Sequence, residues 1–294
     1  MGKYKRDKGL QIPMEQRQKL NAKILYLVEN HEAELYGITP EDIFNVYMGN
    51  GGLHGLDRKD FQNFHAYTEA KKEIEQGQFF TPAEICEFLV ACVKPEPKDI
   101  IYDLTYGKGD FFNYLPTESN IYGTEIDMKA VKIAQYLYPK ANLQYGDIRQ
   151  YSPVLSGDIV FGIRLHLEWE QRSTGIFPDV LLQKAYQVLE KRGSFGFAGL
   201  GSFLSDDFSN KGDIEEINHM FNLIVQFSLP ADAFKEYGVT SFRTKAMILQ
   251  KESVCNRKTI HYRVGSSEAA TGNLSNLCVT GSSGTKKKCC KYLF

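Results

Sequence analysis

Three acidic residues stand where strands would end. Asp103 closes the apolar run Ile100-Ile101-Tyr102 and leads through Leu104-Thr105-Tyr106 into Gly107-Lys108-Gly109. Glu125 closes a second run, Ile121-Tyr122-Gly123-Thr124, and Asp147 follows Leu143-Gln144-Tyr145-Gly146. An ionised carboxylate offers about four acceptor sites. One at a strand tip can therefore take two vicinal hydroxyls as a bidentate pair, and a second can accept from an exocyclic amine. Gly107 and Gly109 fall where a backbone must turn sharply and let a ligand approach closely. Recognition of a nucleoside is the chemistry that this set supports, with the three acids in order more telling than any one of them.

Other nucleotide chemistries fail on the same residues. A dinucleotide fingerprint needs a third glycine, and Phe112 fills that position. A phosphate loop needs Ser or Thr after Gly-Lys, and Gly109 follows Lys108. The six cysteines lack Cys-x-x-Cys spacing, which speaks against both a zinc site and a disulfide framework, and no metal is expected. A formal net charge of −1 argues neither for nor against nucleic acid, so a DNA-binding reading must rest on a local basic face. No apolar run approaches the roughly 20 residues of a membrane helix. The start, Met1 to Arg6, lacks the apolar core of a signal peptide, so a cytoplasmic protein without membrane association is expected.

The elements that must position these residues are legible in the patterning. Leu20, Ile24, Leu25 and Val28 recur at helical spacing, and Thr39-Pro40-Glu41-Asp42 reads as a helix start. Asp57 to Glu75 reads as a further helix. From Gly77 the texture alternates strands with helices. Thr81-Pro82 should cap a helix carrying Ile85, Phe88, Leu89 and Val93. Strands are expected at Ile100–Leu104, Ile121–Glu125, Leu143–Tyr145, Asp158–Phe161, Gly193–Gly199, Leu223–Leu229 and Lys245–Leu249, with helices at Lys129–Leu137 and Leu181–Leu189. The alternation implies an α/β fold, a Rossmann-like and mainly parallel sheet of seven strands covered by helices on both faces. Three parts follow: a helical N-terminal extension over 1–76, the α/β domain over 77–252, and a low-order tail over 253–294, rich in Gly and Ser and ending near Lys286-Lys287-Lys288.

These residues carry a family resemblance. Gln78-Phe79-Phe80-Thr81-Pro82, Asp103 to Phe111, Glu125 and Asp147 resemble, in order, the motifs of adenine-N6 DNA methyltransferases, above all the N6-DNA-methylase type of type I restriction-modification systems. Leu189 to Leu204 and the stretch from Leu229 to Lys251 are similar to later segments of that family, so the resemblance runs from about Gly77 to Lys251. It implies S-adenosylmethionine as cofactor, held by Phe79, Thr81, Pro82, Asp103, Thr105, Gly107, Gly109, Phe111, Glu125, Ile126, Asp147 and Ile148. It implies double-stranded DNA with a flipped adenine as substrate, and a specificity subunit or separate target-recognition domain as partner. Tyr106 and Asp110 depart from the family's small residues.

The larger departure is in the reacting half. The family places Asn/Asp-Pro-Pro-Phe/Tyr after its fourth strand, where an amide oxygen and a proline carbonyl accept from the target amine and the ring stacks on the base. Here Ile163-Arg164-Leu165-His166 occupies the expected catalytic loop. Ile163 has no acceptor, and an inward Arg164 would oppose the positive charge that develops on the attacking nitrogen. One choice of codons relates the two strings. GGA AAT CCG CCT TTC AAT TTA encodes Gly-Asn-Pro-Pro-Phe-Asn-Leu. Losing one base from each of its AAA, TTT and AA runs gives GGA ATC CGC CTT CAT TTA, which encodes Gly162 to Leu167. A compensated frameshift is therefore expected, alongside three functional readings: an adenine-N6 DNA methyltransferase, a relic that binds cofactor and DNA without catalysis, and a methyltransferase for RNA, protein or a small molecule.

Overall fold

A computed structural model describes residues 2–7, 14–49, 62–68, 80–164, 180–200, 217–234 and 244–252. Five helices can be delimited: α1 (Met14–Glu29), α2 (Pro40–Val46), α3 (Ala83–Val93), α4 (Met128–Leu137) and α5 (Val180–Val188). The strands are β1 (Ile101–Asp103), β2 (Ile121–Glu125), β3 (Asn142–Tyr145), β4 (Gly157–Arg164), β5 (Leu189–Leu200), β6 (Phe221–Ser228) and β7 (Thr244–Lys251). They form one seven-stranded sheet in the order β3-β2-β1-β4-β5-β7-β6. β1 to β5 run parallel and β7 runs antiparallel to both its neighbours. The order reverses between β1 and β4, the switch point beyond whose strand ends a ligand cleft opens.

Period-two alternation divides the core between two faces. Ile101 of β1 and Ile159 and Phe161 of β4 face one cluster with α3 and α4. Tyr102 and Val160 face the other, with Leu181, Leu182, Ala185 and Val188 of α5. Both faces are covered, which is why these strands read as continuous apolar runs rather than alternating ones. The N-terminal helices belong to the first cluster: Ile24, Leu27 and Val28 of α1 and Ile43 and Phe44 of α2 are buried in it. α2 opens on the expected signal, a capping box in which Thr39 Oγ1 accepts from the Asp42 amide and the Asp42 carboxylate accepts from the Thr39 amide.

Three expectations need correction. Thr81 does not cap α3, because Pro82 is the N-cap residue and no side chain bonds into the first turn. β5 begins at Leu189 rather than Gly193: Leu189 pairs with Gly157, and an irregularity that includes Arg192 at a φ of 70° separates this from the main ladder at Ser194↔Ile159. β4 does not stop at Phe161 but runs on, with Ile163 opposite Ala198 and Arg164 opposite Gly199. Proline would remove ladder donors at this point, whereas a β-branched isoleucine continues the strand. Leu165, His166, the 253–294 tail and most of the expected helix at 57–75 lie outside the described residues.

Gly123 brings the tips of β1 and β2 together. A Cβ on it would stand 2.2 Å from the Asp103 carbonyl oxygen and 2.8 Å from the Tyr106 ring. The backbone oxygen cannot swing aside as a side chain could. Gly123→Ala is therefore expected to destabilise the protein by about 1–3 kcal/mol through overpacking, read as a lower urea midpoint with an unchanged slope. An unchanged midpoint would show that the strands spread apart at no cost.

Candidate cofactor cleft

Beyond the β1 tip the chain makes a tight loop. Gly107 and Gly109 have φ of 58° and 87°, left-handed values that a side chain resists. A Cβ at Gly107 would stand 2.9 Å from the Phe80 ring, and one at Gly109 would stand 2.5 Å from the Phe112 ring. Both glycines therefore permit close packing as well as the turn. The Gly109 amide donates to the Tyr106 carbonyl (2.7 Å) and the Phe112 amide to Gly109 (3.0 Å), turning the loop into the short 3₁₀ helix Phe111–Tyr114. Phe111 is locked by stacking on Phe161 of β4, with centroids 4.9 Å apart and planes 17° apart.

Glu125 ties this loop to the next strand. Its Oε2 accepts the Gly107 amide at 2.8 Å and its Oε1 accepts the Asp127 amide at 2.9 Å. The Ile126 amide donates to the same carboxylate, so three backbone amides occupy most of its roughly four acceptor sites. Asp103 is buried at the end of β1, and one of its oxygens accepts the Thr105 amide at 3.1 Å. Burial lifts the Asp103 carboxyl to about 8, with the neighbouring charges of Glu125 and Asp110 adding to the rise and the Thr105 amide opposing it. Burial likewise raises Glu125, against the pull of its amide donors. A small pocket of about 20 Å³ is lined by Phe80, Thr81, Asp103, Thr105, Tyr106, Gly107, Asp110, Phe111 and Ile163.

The structure thus gathers Thr81, Asp103, Thr105, Gly107 and Phe111 around one cleft, with Glu125 hydrogen-bonded to its rim. Pro82 starts α3, and Gly109 lies behind the loop against Phe112 and Tyr138. Ile126 projects into solvent, 64% exposed, one residue beyond Glu125. Asp147 reaches the expected strand end, since the Gly146 amide donates to the Glu125 carbonyl (3.0 Å) and Thr124 Oγ1 donates to the Gly146 carbonyl (3.0 Å). Its carboxylate, however, already accepts from the Arg149 amide (2.8 Å) and Nε (2.9 and 3.0 Å). That pairing holds Asp147 below the ordinary carboxylate range, so an adenine amine would have to displace Arg149. Ile148 sits in the short 3₁₀ helix that Asp147 begins. Of the expected catalytic loop, Ile163 lines the cleft and Arg164 ends β4, while Phe79 lies outside the described residues. Phe80, Tyr106 and Asp110 were not foreseen as lining residues, although the first belongs to the Phe-Phe-Thr-Pro string and the other two mark departures from the family.

Against this geometry stand the comparisons with known proteins. Residues 61–143 match the model of the N-6 DNA methylase family. The match therefore spans the Thr81-Pro82 string, the glycine loop and the Glu125 strand. Among solved structures, a modification subunit of a putative type I restriction enzyme from Vibrio vulnificus YJ016 superposes with a TM-score of 0.53 at 19% identity, over 69% of this chain and 51% of that one. A putative class I S-adenosylmethionine-dependent methyltransferase from Listeria monocytogenes gives 0.50 at 15% identity, over 69% and 75%. The chain spans about half the length of the Vibrio subunit. At these identities the likeness is one of fold, that of the class I methyltransferases. No curated protein matches the sequence. Among the described residues, no helix is long and apolar enough to cross a membrane.

The buried acids make stability depend on pH in a defined direction. An acid whose folded value lies above its unfolded one binds more protons when folded, so its contribution is lost as pH rises through that window. For Asp103 the window runs from the ordinary aspartate range up to about 8. Urea midpoints of the native chain, relative to Asp103→Asn, are expected to fall as pH rises from about 4 to about 8. Parallel profiles for the two proteins would contradict the burial of this carboxyl.

Proposed function

We propose that the protein is an S-adenosylmethionine-dependent DNA methyltransferase of the adenine-N6 type. The observation that carries this reading is the buried Glu125 carboxylate at the tip of β2, which fixes the glycine loop through the Gly107 amide. A carboxylate in that place suits the hydroxyls of a ribose. A cationic methionine end beside Asp103 would favour ionisation of its raised carboxyl, and Phe80 and Thr81 also line the cleft. The cofactor supplies an electrophilic methyl group when bound. Glu125 and Asp103 would hold it, and Phe80 and Phe111 would shield it from water. The family match supports DNA as the substrate, and the likeness to a modification subunit of a putative type I restriction enzyme supports a restriction-modification setting.

Ile163 favours a second reading, a relic that holds cofactor, and DNA, without transferring the methyl. This residue lines the cleft on the β4 side, where a target amine needs an acceptor, and its side chain has none to give. The frameshift account explains how such a site arises, since the three lost bases restore the frame by Glu168.

Transfer of a tritiated methyl from the cofactor to adenine in duplex DNA tests the first reading. The full chain is compared with the variant in which Asn-Pro-Pro-Phe-Asn replaces residues 163–166. Label entering DNA at comparable rates with both proteins supports the methyltransferase and removes the relic. Label entering only with the variant establishes the relic, and label preferring RNA over DNA would overturn the substrate assignment. Rereading the gene across the codons for Asp158 to Trp169 is expected to return Asn-Pro-Pro-Phe codons if the frame was lost in reading rather than in the gene.

A further inference from the structure

Lys108 lies between the two left-handed glycines, yet its side chain does not enter the cleft. It is fully buried and runs into the N-terminal helices. There Nζ donates to the carbonyls of Phe44 (2.8 Å) and Tyr47 (3.0 Å) and stands 3.6 Å from Asp110 Oδ1. Phe44 and Tyr47 close α2, and carbonyls in a helix's last turn have no partner within the helix. The ammonium also lies 4.9 Å from the Phe44 ring centroid and 5.4 Å from that of Phe80. Each of these partners belongs to a different part of the chain: α2, the loop itself, and the Phe80-Thr81 string that lines the cleft.

A buried ammonium costs several kcal/mol unless its donors are met. The loop can therefore keep Lys108 in place only while the end of α2 is docked over it. Its neighbour Gly107 points its amide the opposite way, to Glu125 at 2.8 Å. One dipeptide is thus held from two sides, by the N-terminal helices and by the β2 tip.

We propose that Lys108 is a positioning residue that makes the N-terminal helices part of the cofactor cleft, holding Gly107 and Asp110 in their ligand-binding arrangement only when α2 is docked. This rests on the reading of the cleft as an S-adenosylmethionine site. Coupling between sites is reciprocal, so cofactor binding must in turn strengthen the docking of α2. A staple with a structural role alone would lower the melting temperature when removed. It would leave cofactor affinity unchanged at temperatures where the protein is folded.

The test uses the full chain, S-adenosylmethionine and S-adenosylhomocysteine, and the variant Lys108→Met, which keeps the aliphatic stem and removes the donors. Calorimetry is expected to show binding to the native chain and a loss of tenfold or more in the variant, at a temperature where circular dichroism shows both folded. Hydrogen exchange over residues 40–48 of the native chain should slow on adding either ligand. Equal affinities in the two proteins, with the native chain binding, would overturn the proposal and leave the cofactor reading intact. Absence of binding to the native chain would sink the cofactor reading and this inference with it. Should Lys108→Met fail to fold, the native exchange experiment decides alone: unchanged exchange at 40–48 on ligand binding contradicts the coupling.

Discussion

The hydrogen bond from the Gly107 amide to the Glu125 carboxylate is the constraint on which the cleft depends. It joins the loop after β1 to the tip of β2, and both ends are buried. Gly123 lets the two strand ends approach, Gly107 accepts the left-handed turn that aims its amide, and Phe80 packs on the face where a Cβ would have stood. Without the carboxylate, the buried Gly107 amide would lose its acceptor, at a cost of about 1–3 kcal/mol. The sheet supplies the frame, but this one contact converts two strand ends into a site.

Charge gives the site its character. Asp103, Asp110 and Glu125 are all buried around the loop, and Lys108 is the buried cation among them. The lysine spends its charge on the end of α2 and on Asp110, so it offers little relief to Asp103, whose carboxyl rises to about 8. Acids strained upward by burial are stabilised by a cationic ligand, because its charge replaces the solvation they have lost. A ligand with ammonium and sulfonium groups is matched to such a cleft.

Much of this was legible in the sequence because it rests on local rules. Strand tips ending in Asp103, Glu125 and Asp147 follow from apolar runs closed by acid. The helix at Pro40 follows from Thr39 and Asp42, and a mainly parallel seven-stranded sheet follows from alternation of strand and helix. What escaped depends on contacts distant in sequence. The engagement of Asp147 by Arg149 is a side-chain choice that spacing does not fix. The burial of Lys108 could not be read from a Gly-Lys-Gly string, since its partners lie some 60 residues earlier. The extension of β4 through Arg164 did have a local signal, the absence of proline after Gly162, which the comparison with Asn-Pro-Pro obscured.

A crystal structure of the full chain with S-adenosylhomocysteine tests the central claim most directly. The account predicts the ribose hydroxyls on Glu125, the amino-acid end beside Asp103 and Thr81, and the sulfur facing Ile163. Density for the ligand elsewhere, or a Glu125 carboxylate that makes no contact with it, would contradict the account.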